Sequence, residues 1–464
     1  MTHRYISTRG NAPALSFEDA VLAGLAGDGG LYVPEHFQEF SMAEIDAMQS
    51  MSYPELAFTV ISRFIDTSIK PDELKDIVIE SYKPFRHAAI APLKQIDSHS
   101  FILELFHGPT LAFKDFAMQF LGRLVDHILQ KRGRKAVVIG ATSGDTGSAA
   151  IAACQGRANM EIYILHPKGR VSDVQRRQMT SVLDANVHNI AIDGTFDDCQ
   201  DIVKALFADA AFRQKHHLTA VNSINWARIV AQVVYYFYAA LALGAPAKNV
   251  SFSVPTGNFG DIYAGHIARR LGLGIDQLII ASNSNDILPR CLATGTYSLA
   301  EVVPTLSPSM DIQVSSNFER LLFDLYDCDG KAIAEMMTAL RRDKKITLSP
   351  LAWNRFKAEF SACSVNDEDT KRTIAATFNT TGELLDPHTA VGLAAGQRAR
   401  RKTGTPLIVL ATAHPAKFAA AVKAASGVMP ELPPHLKDLF KRPERCEEMA
   451  SDASKVKAFI DAGN

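Results

Sequence analysis

Short apolar runs alternate with longer amphipathic segments from Phe101 onward. The runs are rich in Val and Ile, and the intervening segments have apolar positions at helical spacing. The runs occupy residues 136–140, 161–166, 187–192, 250–254, 278–282 and 407–411. Such runs are typical of strands buried on both faces, and their alternation with helices favours parallel pairing. We therefore predict an α/β fold of mostly parallel, twisted sheets covered by helices.

The segment before these runs, residues 1–98, has the pattern of a mostly helical N-terminal domain. A first helix is predicted to start at Ser16 and to stop at Gly27, and a second starts with a capping box at Ser41. A third helix has Pro71 in its first turn. The segment has no cluster of nucleophile, base and donor, so we interpret it as a packing domain.

Beyond residue 300 the apolar runs give way to helical patterns. We predict a helical insertion at about residues 300–385, in which residues 349–363 form one helix. The insertion interrupts an α/β body of two subdomains at residues 99–430, and residues 431–464 are predicted to form a helical tail.

The composition is that of an ordinary globular protein of 464 residues, with 49 Lys and Arg, 50 Asp and Glu, and a net charge of -1. This balance provides no overall electric field that would attract nucleic acid or an anionic membrane, so we predict neither partner. A local basic patch is still compatible with this net charge. The six cysteines include no C-x-x-C pair, which argues against a zinc site or a disulfide framework. The N-terminal residues lack an apolar core, so we expect a cytoplasmic protein, with a short transit peptide as the alternative.

Three loops that follow apolar runs carry candidate chemistry, at residues 141–147, 255–261 and 412–417. In an open parallel sheet, loops at the carboxyl ends of strands meet at one edge, where ligands bind. We expect these loops to line one cleft.

The loop from Pro255 to Asp261 suits a phosphate group, because Gly257 and Gly260 permit close backbone approach before a helix. It lacks the lysine of a Walker A loop, and an ordinary structural turn is the alternative. The loop at 141–147 has hydroxyl groups that suit a carboxylate, although Asp145 is also a candidate helix cap.

Lys114 is the strongest single candidate for a nucleophile. Positions i+4, i+7 and i+11 from it are apolar (Met118, Leu121 and Val125), whereas the polar residues are predicted on another side: Asp115, Gln119, Arg123 and Asp126. Burial and the positive helix end both disfavour a charged amine there, which makes Lys114 a candidate nucleophile. A snorkelling surface lysine is the alternative. An amine together with a phosphate-binding loop points to pyridoxal phosphate.

Other polar residues are weaker candidates. The loop histidines are interpreted as local hydrogen-bonding residues, and the absence of paired metal-ligand spacing predicts no metal site. Several cations are candidates for holding an anionic substrate group: Lys168, Arg170, Arg176 and Arg228.

The order of the motifs along the chain resembles that of the threonine synthases of the long bacterial and fungal type, within the tryptophan-synthase-like pyridoxal-phosphate enzymes of fold type II. The motifs cover nearly the whole chain: YISTRG, GLAGDGGLYVPE, FHGPTLAFKDFAMQ, GATSGDTGSAA, PKGRVS, NSINWARI, PTGNFGD, DPHTAVG and ATAHPAKF.

The resemblance implies roles for individual residues. Lys114 matches the lysine that forms the internal aldimine, and Thr412 matches the hydroxyl that meets the pyridine nitrogen. The implied cofactor-phosphate loop is Gly257, Asn258, Phe259 and Gly260, with Asp261 beside it. The implied loop for the substrate carboxylate is Ser143, Gly144, Asp145, Thr146 and Gly147. Lys168, Asn225 and Arg228 match positions near the anionic groups of the substrate.

The reaction implied is the last step of threonine biosynthesis, in which O-phospho-L-homoserine and water give L-threonine and phosphate by γ-elimination and β-addition. Two alternatives stay open: another lyase of the same fold type, such as a serine or threonine dehydratase, and a catalytically silent phosphate-binding relative. The intact Lys114 and PTGNFGD loop weigh against the silent relative. A monomer is favoured over a homodimer.

Overall fold

A computed structural model of the chain describes residues 3–142, 144–219 and 222–463. The strands are β1 (Tyr5–Ser7), β2 (Tyr32–Pro34), β3 (Leu93–Gln95), β4 (Ser100–Glu104), β5 (Ala136–Ala141), β6 (Met160–Pro167), β7 (Val187–Asp193), β8 (Val250–Pro255), β9 (Ile275–Ser282), β10 (Thr296–Ser298), β11 (Lys345–Thr347), β12 (Phe360–Ser364), β13 (Leu407–Ala411) and β14 (Glu447–Ala450). The helices are α1 (Phe17–Ala23), α2 (Met42–Ala47), α3 (Tyr53–Ser62), α4 (Pro71–Tyr82), α5 (Lys114–Lys131), α6 (Asp145–Cys154), α7 (Asp173–Thr180), α8 (Phe196–Ala208), α9 (Ala210–His216), α10 (Trp226–Ala242), α11 (Gly260–Arg270), α12 (Ile287–Thr294), α13 (Phe318–Leu325), α14 (Gly330–Asp343), α15 (Pro350–Glu359), α16 (Asp367–Thr381), α17 (Pro387–Ala399), α18 (Ala419–Ser426) and α19 (Ala453–Gly463).

Two larger sheets carry the α/β part of the molecule. One has the spatial order β12, β9, β8, β13, β4, β3, and the other has the order β14, β7, β6, β5. Among the described residues every neighbouring pair in these sheets is parallel except β3 with β4. All six predicted apolar runs lie in these strands, and β8 and β13 are buried along their whole length. The α/β fold with mostly parallel sheets is confirmed.

Helix α10 packs against α3, α5 and α11 and is buried on nearly every side. Burial on all sides accounts for its almost uninterrupted apolar sequence. Within the described ranges no helix is long and apolar enough to cross a membrane.

The N-terminal part is mostly helical, as predicted, with α1 to α4 and a small antiparallel ladder of β1 and β2 that was not predicted. The capping box at Ser41 and the proline start at Pro71 are both confirmed. The predicted end of the first helix is wrong: α1 ends at Ala23, because Gly24 takes a φ of 65° and stops the helix there.

Two of the predicted helical regions contain strands. Within residues 300–385, β12 pairs with β9 in the larger sheet, so the segment predicted as one helix at 349–363 is α15 followed by a strand. Within residues 431–464, β14 pairs with β7. Both are edge strands and stay partly exposed, so they lack the apolar runs by which central strands are recognised.

Candidate active site

The three loops predicted to share one sheet edge do line one cleft, but they come from two sheets. The loop after β5 belongs to the smaller sheet, and the loops after β8 and β13 belong to the larger one. The cleft between them is lined by residues of all three loops and by the start of α5: Lys114, Asp145, Thr146, Gly257, Asn258, Phe259, Gly260, Asp261 and Thr412. The prediction of a single edge is therefore wrong, whereas the prediction of a single cleft is confirmed.

Lys114 is the first residue of α5, and its side chain is only 12% exposed. The three apolar positions predicted on its face are buried. The predicted polar side is partly wrong, because Asp115 and Gln119 are also buried. Helix α5 packs against α4, α6 and α10 and therefore lacks a simple exposed face over its first turns. The snorkelling alternative does not fit, since the Lys114 amine lies in the cleft.

Asp145 lies between two buried lysines. Its Oδ2 is 3.5 Å from Lys114 Nζ and its Oδ1 is 2.9 Å from Lys417 Nζ, while Gln175 Nε2 donates to Oδ1 at 2.7 Å. Burial alone would raise the pKa of Asp145, but the two ammonium groups lower it well below its ordinary value. The position before α6 is Gly144, so Asp145 does not cap that helix with its side chain.

The amine of Lys114 is held where its charged form is disfavoured. Burial is the main cause and lowers the pKa of Lys114, and the charges of Lys417 and Arg228 act in the same direction. Asp145 opposes them and raises the pKa. The net pKa is lowered, which makes the neutral, nucleophilic amine more available.

The glycine loop after β8 presents free backbone donors. The carbonyl oxygen of Gly257 accepts from Ser315 Oγ at 2.7 Å, and that of Asn258 accepts from the Asn317 N–H at 3.0 Å. Because a trans peptide places N–H and C=O on opposite sides, the N–H groups of Asn258 and Phe259 point away from Ser315 and Asn317, and both residues line the cleft. In the described part of the chain neither these two nor the Gly257 N–H has an acceptor. A phosphate group would satisfy them.

Phe259 and Asp261 complete this loop at the start of α11. Phe259 adopts a φ of 64° and is buried against Phe318, which holds the uncommon backbone conformation in place. Asp261 accepts from the hydroxyls of Tyr235 at 2.5 Å and Tyr236 at 3.0 Å. Burial raises the pKa of Asp261 to about 7. A carboxyl group that is readily protonated is compatible with an anion nearby.

Arg228 supplies a buried cation to the same cleft. It lies in the first turn of α10 and is 4% exposed. Burial lowers its pKa to about 10, so it is still charged at neutral pH. Its Nε and Nη1 atoms are buried without a hydrogen-bond partner among the described residues. An unpaired buried guanidinium is costly, and an anionic ligand in the cleft would satisfy it.

Thr412 and Thr146 line the cleft as expected from the sequence. The Phe113 N–H donates to the Thr412 carbonyl oxygen at 2.9 Å, which ties the start of α5 to the loop after β13. The N–H groups of Gly144 and Gly147 both donate to Thr142 Oγ1, at 3.0 and 2.9 Å. Ser143 lies outside the described residues.

Several sequence candidates are not among the residues that line the cleft: Gly144, Gly147, Lys168, Arg170, Arg176 and Asn225. Asn225 caps α10 by accepting from the Ala227 N–H, and it donates to the Val21 carbonyl oxygen. Lys168 is exposed and pairs with Glu448 at 2.6 Å.

Two polar residues of the cleft region were given no functional role from the sequence: His388, which was interpreted as a local hydrogen-bonding residue, and Lys417. His388 lines the cleft and bonds through Nδ1 to Asp386 at 2.8 Å. Lys417 lies behind Asp145 with no exposed side-chain surface. Both stand in quoted motifs, DPHTAVG and ATAHPAKF. A lysine just after a fully buried strand was the available signal for Lys417.

The cleft fits pyridoxal phosphate. It combines an amine of lowered pKa, a glycine loop with unpaired N–H donors and a threonine hydroxyl, Thr412, that makes no hydrogen bond with the described residues. These are the groups that can link to an aldehyde, hold a phosphate and meet a ring nitrogen.

Comparisons with known families cover most of the chain. A model described as "Threonine synthase N terminus" matches residues 4–82, one described as "Pyridoxal-phosphate dependent enzyme" matches residues 90–353, and one described as "Threonine synthase, C-terminal" matches residues 389–460.

Individual proteins agree with these models. The chain is 56% identical to a threonine synthase of Pseudomonas aeruginosa, with 98% of each chain covered. A crystal structure of pyridoxal-phosphate-bound threonine synthase from Brucella melitensis superposes with a TM-score of 0.97 and 51% identity, covering 100% of this chain and 99% of that one. The yeast threonine synthase structure gives a TM-score of 0.94 and 41% identity, covering 99% of this chain and 98% of that one. The chain therefore belongs to the threonine synthase family of pyridoxal-phosphate-dependent enzymes.

Proposed function

We propose that the chain converts O-phospho-L-homoserine and water into L-threonine and inorganic phosphate, with Lys114 as the residue that links to the cofactor. The observation that carries this proposal is the pairing of chemistries in one cleft. A buried amine of lowered pKa, Lys114, shares the cleft with a buried guanidinium that lacks a partner, Arg228. An amine alone would suit many enzymes of this fold, and the added cation favours an anionic substrate.

The cofactor would be held by residues of all three loops. Lys114 would bind its aldehyde carbon, the N–H groups of Gly257, Asn258, Phe259 and Gly260 would receive its phosphate, and Thr412 would meet its ring nitrogen. Pyridoxal phosphate, when bound, supplies an aldehyde that links to amines and a ring that withdraws electrons from the adjacent carbon. Asp261 lies beside the phosphate loop. When its carboxyl group is protonated it carries no charge, which would favour binding of the anionic phosphate.

Lys114 would also move protons once the substrate amine has replaced it. Its Nζ would accept the proton from the substrate Cα, because burial favours the neutral amine. Asp145 Oδ2, at 3.5 Å, would stabilise the ammonium that results. The same nitrogen would later return a proton to the substrate carbon chain.

Arg228 is proposed to bind the phosphate of the substrate, and the loop of Ser143, Gly144, Asp145, Thr146 and Gly147 is proposed to receive its carboxylate. Lys168 would have to leave Glu448 before it could assist, and Asn225 would have to give up its helix cap. Arg228 is therefore the main cation assigned to the substrate. The same loop at residues 143–147 would also hold the substrate so that addition of water to its carbon chain is faster than hydrolysis to an oxo acid.

The direct test supplies O-phospho-L-homoserine and measures phosphate and threonine together. The two products should appear in equal amounts, and Lys114→Ala should lower the rate by about 100-fold or more. The control is Lys423→Ala, at an exposed position of α18, which should leave the rate unchanged. Phosphate with oxobutyrate and without threonine would favour a dehydratase-like lyase. No turnover by any variant would favour the silent relative.

We further propose a division into residues 1–98, 99–430 and 431–464, a monomeric state and a cytoplasmic location. The break between the family models that end at residue 82 and begin at residue 90 supports a boundary near residue 98, whereas the C-terminal model, which runs from residue 389 to 460, offers no support for a boundary at residue 430. All six cysteines are free, which is typical of a reducing compartment. Limited proteolysis tests the division, and sedimentation equilibrium tests the monomer.

A further inference from the structure

Lys417 is a fully buried cation next to the cleft. It lies in the short 3₁₀ turn Pro415–Phe418 that follows β13, and its side chain has 0% exposure. Its Nζ lies 2.9 Å from Asp145 Oδ1 and donates to the Thr110 carbonyl oxygen at 2.6 Å. A buried ammonium group is unfavourable unless it is paired, so these two contacts must offset the cost of burying the charge of Lys417.

The two partners of Lys417 belong to the two walls beside Lys114. Thr110 precedes α5, and its N–H and Oγ1 donate to Asp115 at 2.8 and 2.7 Å. Asp145 begins α6 on the other side. Lys417 thus joins the segment that carries Lys114 to the carboxylate that faces Lys114.

The charges around Lys114 come from several elements. Asp145 on α6 attracts its proton, whereas Lys417 and Arg228 repel it. Asp261 on α11 is also close enough to interact with it. Asp115, next to Lys114 on α5, interacts with Lys417. Because Asp145 is shared between two ammonium groups, its full negative charge is not available to Lys114 alone.

We propose that Lys417 is a positioning residue for the reaction, which holds Asp145 and the Thr110 segment in place and takes up part of the Asp145 charge, so that Lys114 can lose and regain its proton. This inference rests on the proposed link between Lys114 and the cofactor. The assignment does not require Lys417 to touch the substrate. It predicts instead that removing the Lys417 charge alters the proton affinity of the Lys114 nitrogen.

The test is a pH titration of the visible absorption of the cofactor-loaded enzyme, which reports the protonation of the nitrogen that joins Lys114 to the cofactor. Lys417→Met keeps a chain of similar length but removes the charge, so Asp145 acts on Lys114 alone. The midpoint should rise by about one to two pH units. Lys417→Arg should restore most of the wild-type midpoint. The exposed control Lys423→Met should titrate as the wild type does.

A folding defect can be separated from this effect. Removing both charges in Asp145→Asn/Lys417→Met leaves no unpaired buried charge from this pair, so this variant is expected to fold even where Lys417→Met does not. Its midpoint should lie above that of Asp145→Asn, because the repelling Lys417 charge is gone. Equal midpoints in these two variants, or a loaded Lys417→Met enzyme that titrates like the wild type, would overturn the proposal. If the wild type forms no lysine-linked absorbing species, the assignment of Lys114 fails instead.

Discussion

Tyr235 donates its hydroxyl hydrogen to Asp261 Oδ1 at 2.5 Å, at the contact between α10 and α11. The other oxygen of this carboxyl group, Oδ2, is buried and has no partner among the described residues. Oδ2 is the natural site for a proton, since a buried anion with one unsatisfied oxygen is unfavourable. The second tyrosine, Tyr236, also donates to Oδ1, at 3.0 Å.

We predict that Asp261→Asn changes stability in a pH-dependent way. Burial raises the pKa of Asp261 from 3.8 to about 7. The folded protein therefore binds this proton more tightly than the unfolded chain does. The contribution of Asp261 to the free energy of unfolding falls as pH rises from 3.8 to about 7. Relative to the variant, wild-type unfolding free energy should fall by up to about 1.4 kcal/mol per pH unit between about pH 5 and 7, then level off.

Urea unfolding of the cofactor-free proteins at several pH values measures this difference. The matched control is Asp173→Asn, because the Asp173 side chain is 79% exposed. A difference between wild type and Asp261→Asn that is constant from about pH 5 to 7 would contradict the prediction.

Asp145→Asn is expected to destabilise the protein strongly at neutral pH. The substitution leaves the buried ammonium groups of Lys114 and Lys417 without their shared carboxylate, which should cost about 3–5 kcal/mol. The pKa of Asp145 is lowered, so its contribution is complete above its unfolded pKa of 3.8 and is lost only as pH falls below that value. The loss of unfolding free energy should therefore be large at about pH 6 and no larger at about pH 8, because without Asp145 the pKa of Lys114 is lowered further and the folded variant loses that proton more readily as pH rises. A cost below about 1 kcal/mol would show that the carboxylate is not the main counter-charge.

The strands that could be predicted from the sequence are those buried on both faces. β8 and β13 are buried along their whole length because helices and sheet cover them on both sides, and every residue of β13 is apolar. The edge strands β12 and β14 were not predicted, because one side of each is open to solvent and their sequences carry polar residues. The position of a strand in its sheet therefore decides whether a local pattern can reveal it.

The same limit applies to the site. Lys114 stands out because a charged residue occupies an apolar position within one helix, and a local pattern can show that. Lys417 owes its burial to Thr110, 307 positions away in the chain, and to Asp145. Its position just after a buried strand is a signal in the sequence, but no periodicity within its own segment encodes these two contacts, which become apparent only in the folded structure.

Arg228→Met should weaken the binding of an anionic ligand without lowering the stability of the ligand-free protein. The guanidinium Nε and Nη1 are buried and unpaired, so their removal takes away a desolvation cost. The affinity for O-phospho-L-homoserine should fall by about tenfold or more, since a charge-assisted hydrogen bond is lost. A neutral homoserine analogue should be affected much less.

Inhibition constants of the two ligands, together with thermal unfolding of the ligand-free protein, give the comparison. Arg134→Met removes an exposed arginine just after α5 and serves as the control. Equal losses for the charged and neutral ligands would contradict the assignment of Arg228 to an anion.

Gly257→Ala should reduce the affinity for pyridoxal phosphate by on the order of tenfold. The backbone conformation at Gly257 suits any residue, so the reason is space. An added Cβ would lie 2.9 Å from the Ser309 carbonyl oxygen and 3.0 Å from Ile312 Cδ1. The carbonyl belongs to the backbone and yields little, so the loop must shift and its N–H groups must leave their present positions. Titration of the cofactor-free protein with pyridoxal phosphate measures the loss, and Gly404→Ala is the matched control because nothing lies within 4 Å of its added Cβ. An unchanged affinity in Gly257→Ala would mean that the loop tolerates displacement and that its N–H groups do not hold the phosphate.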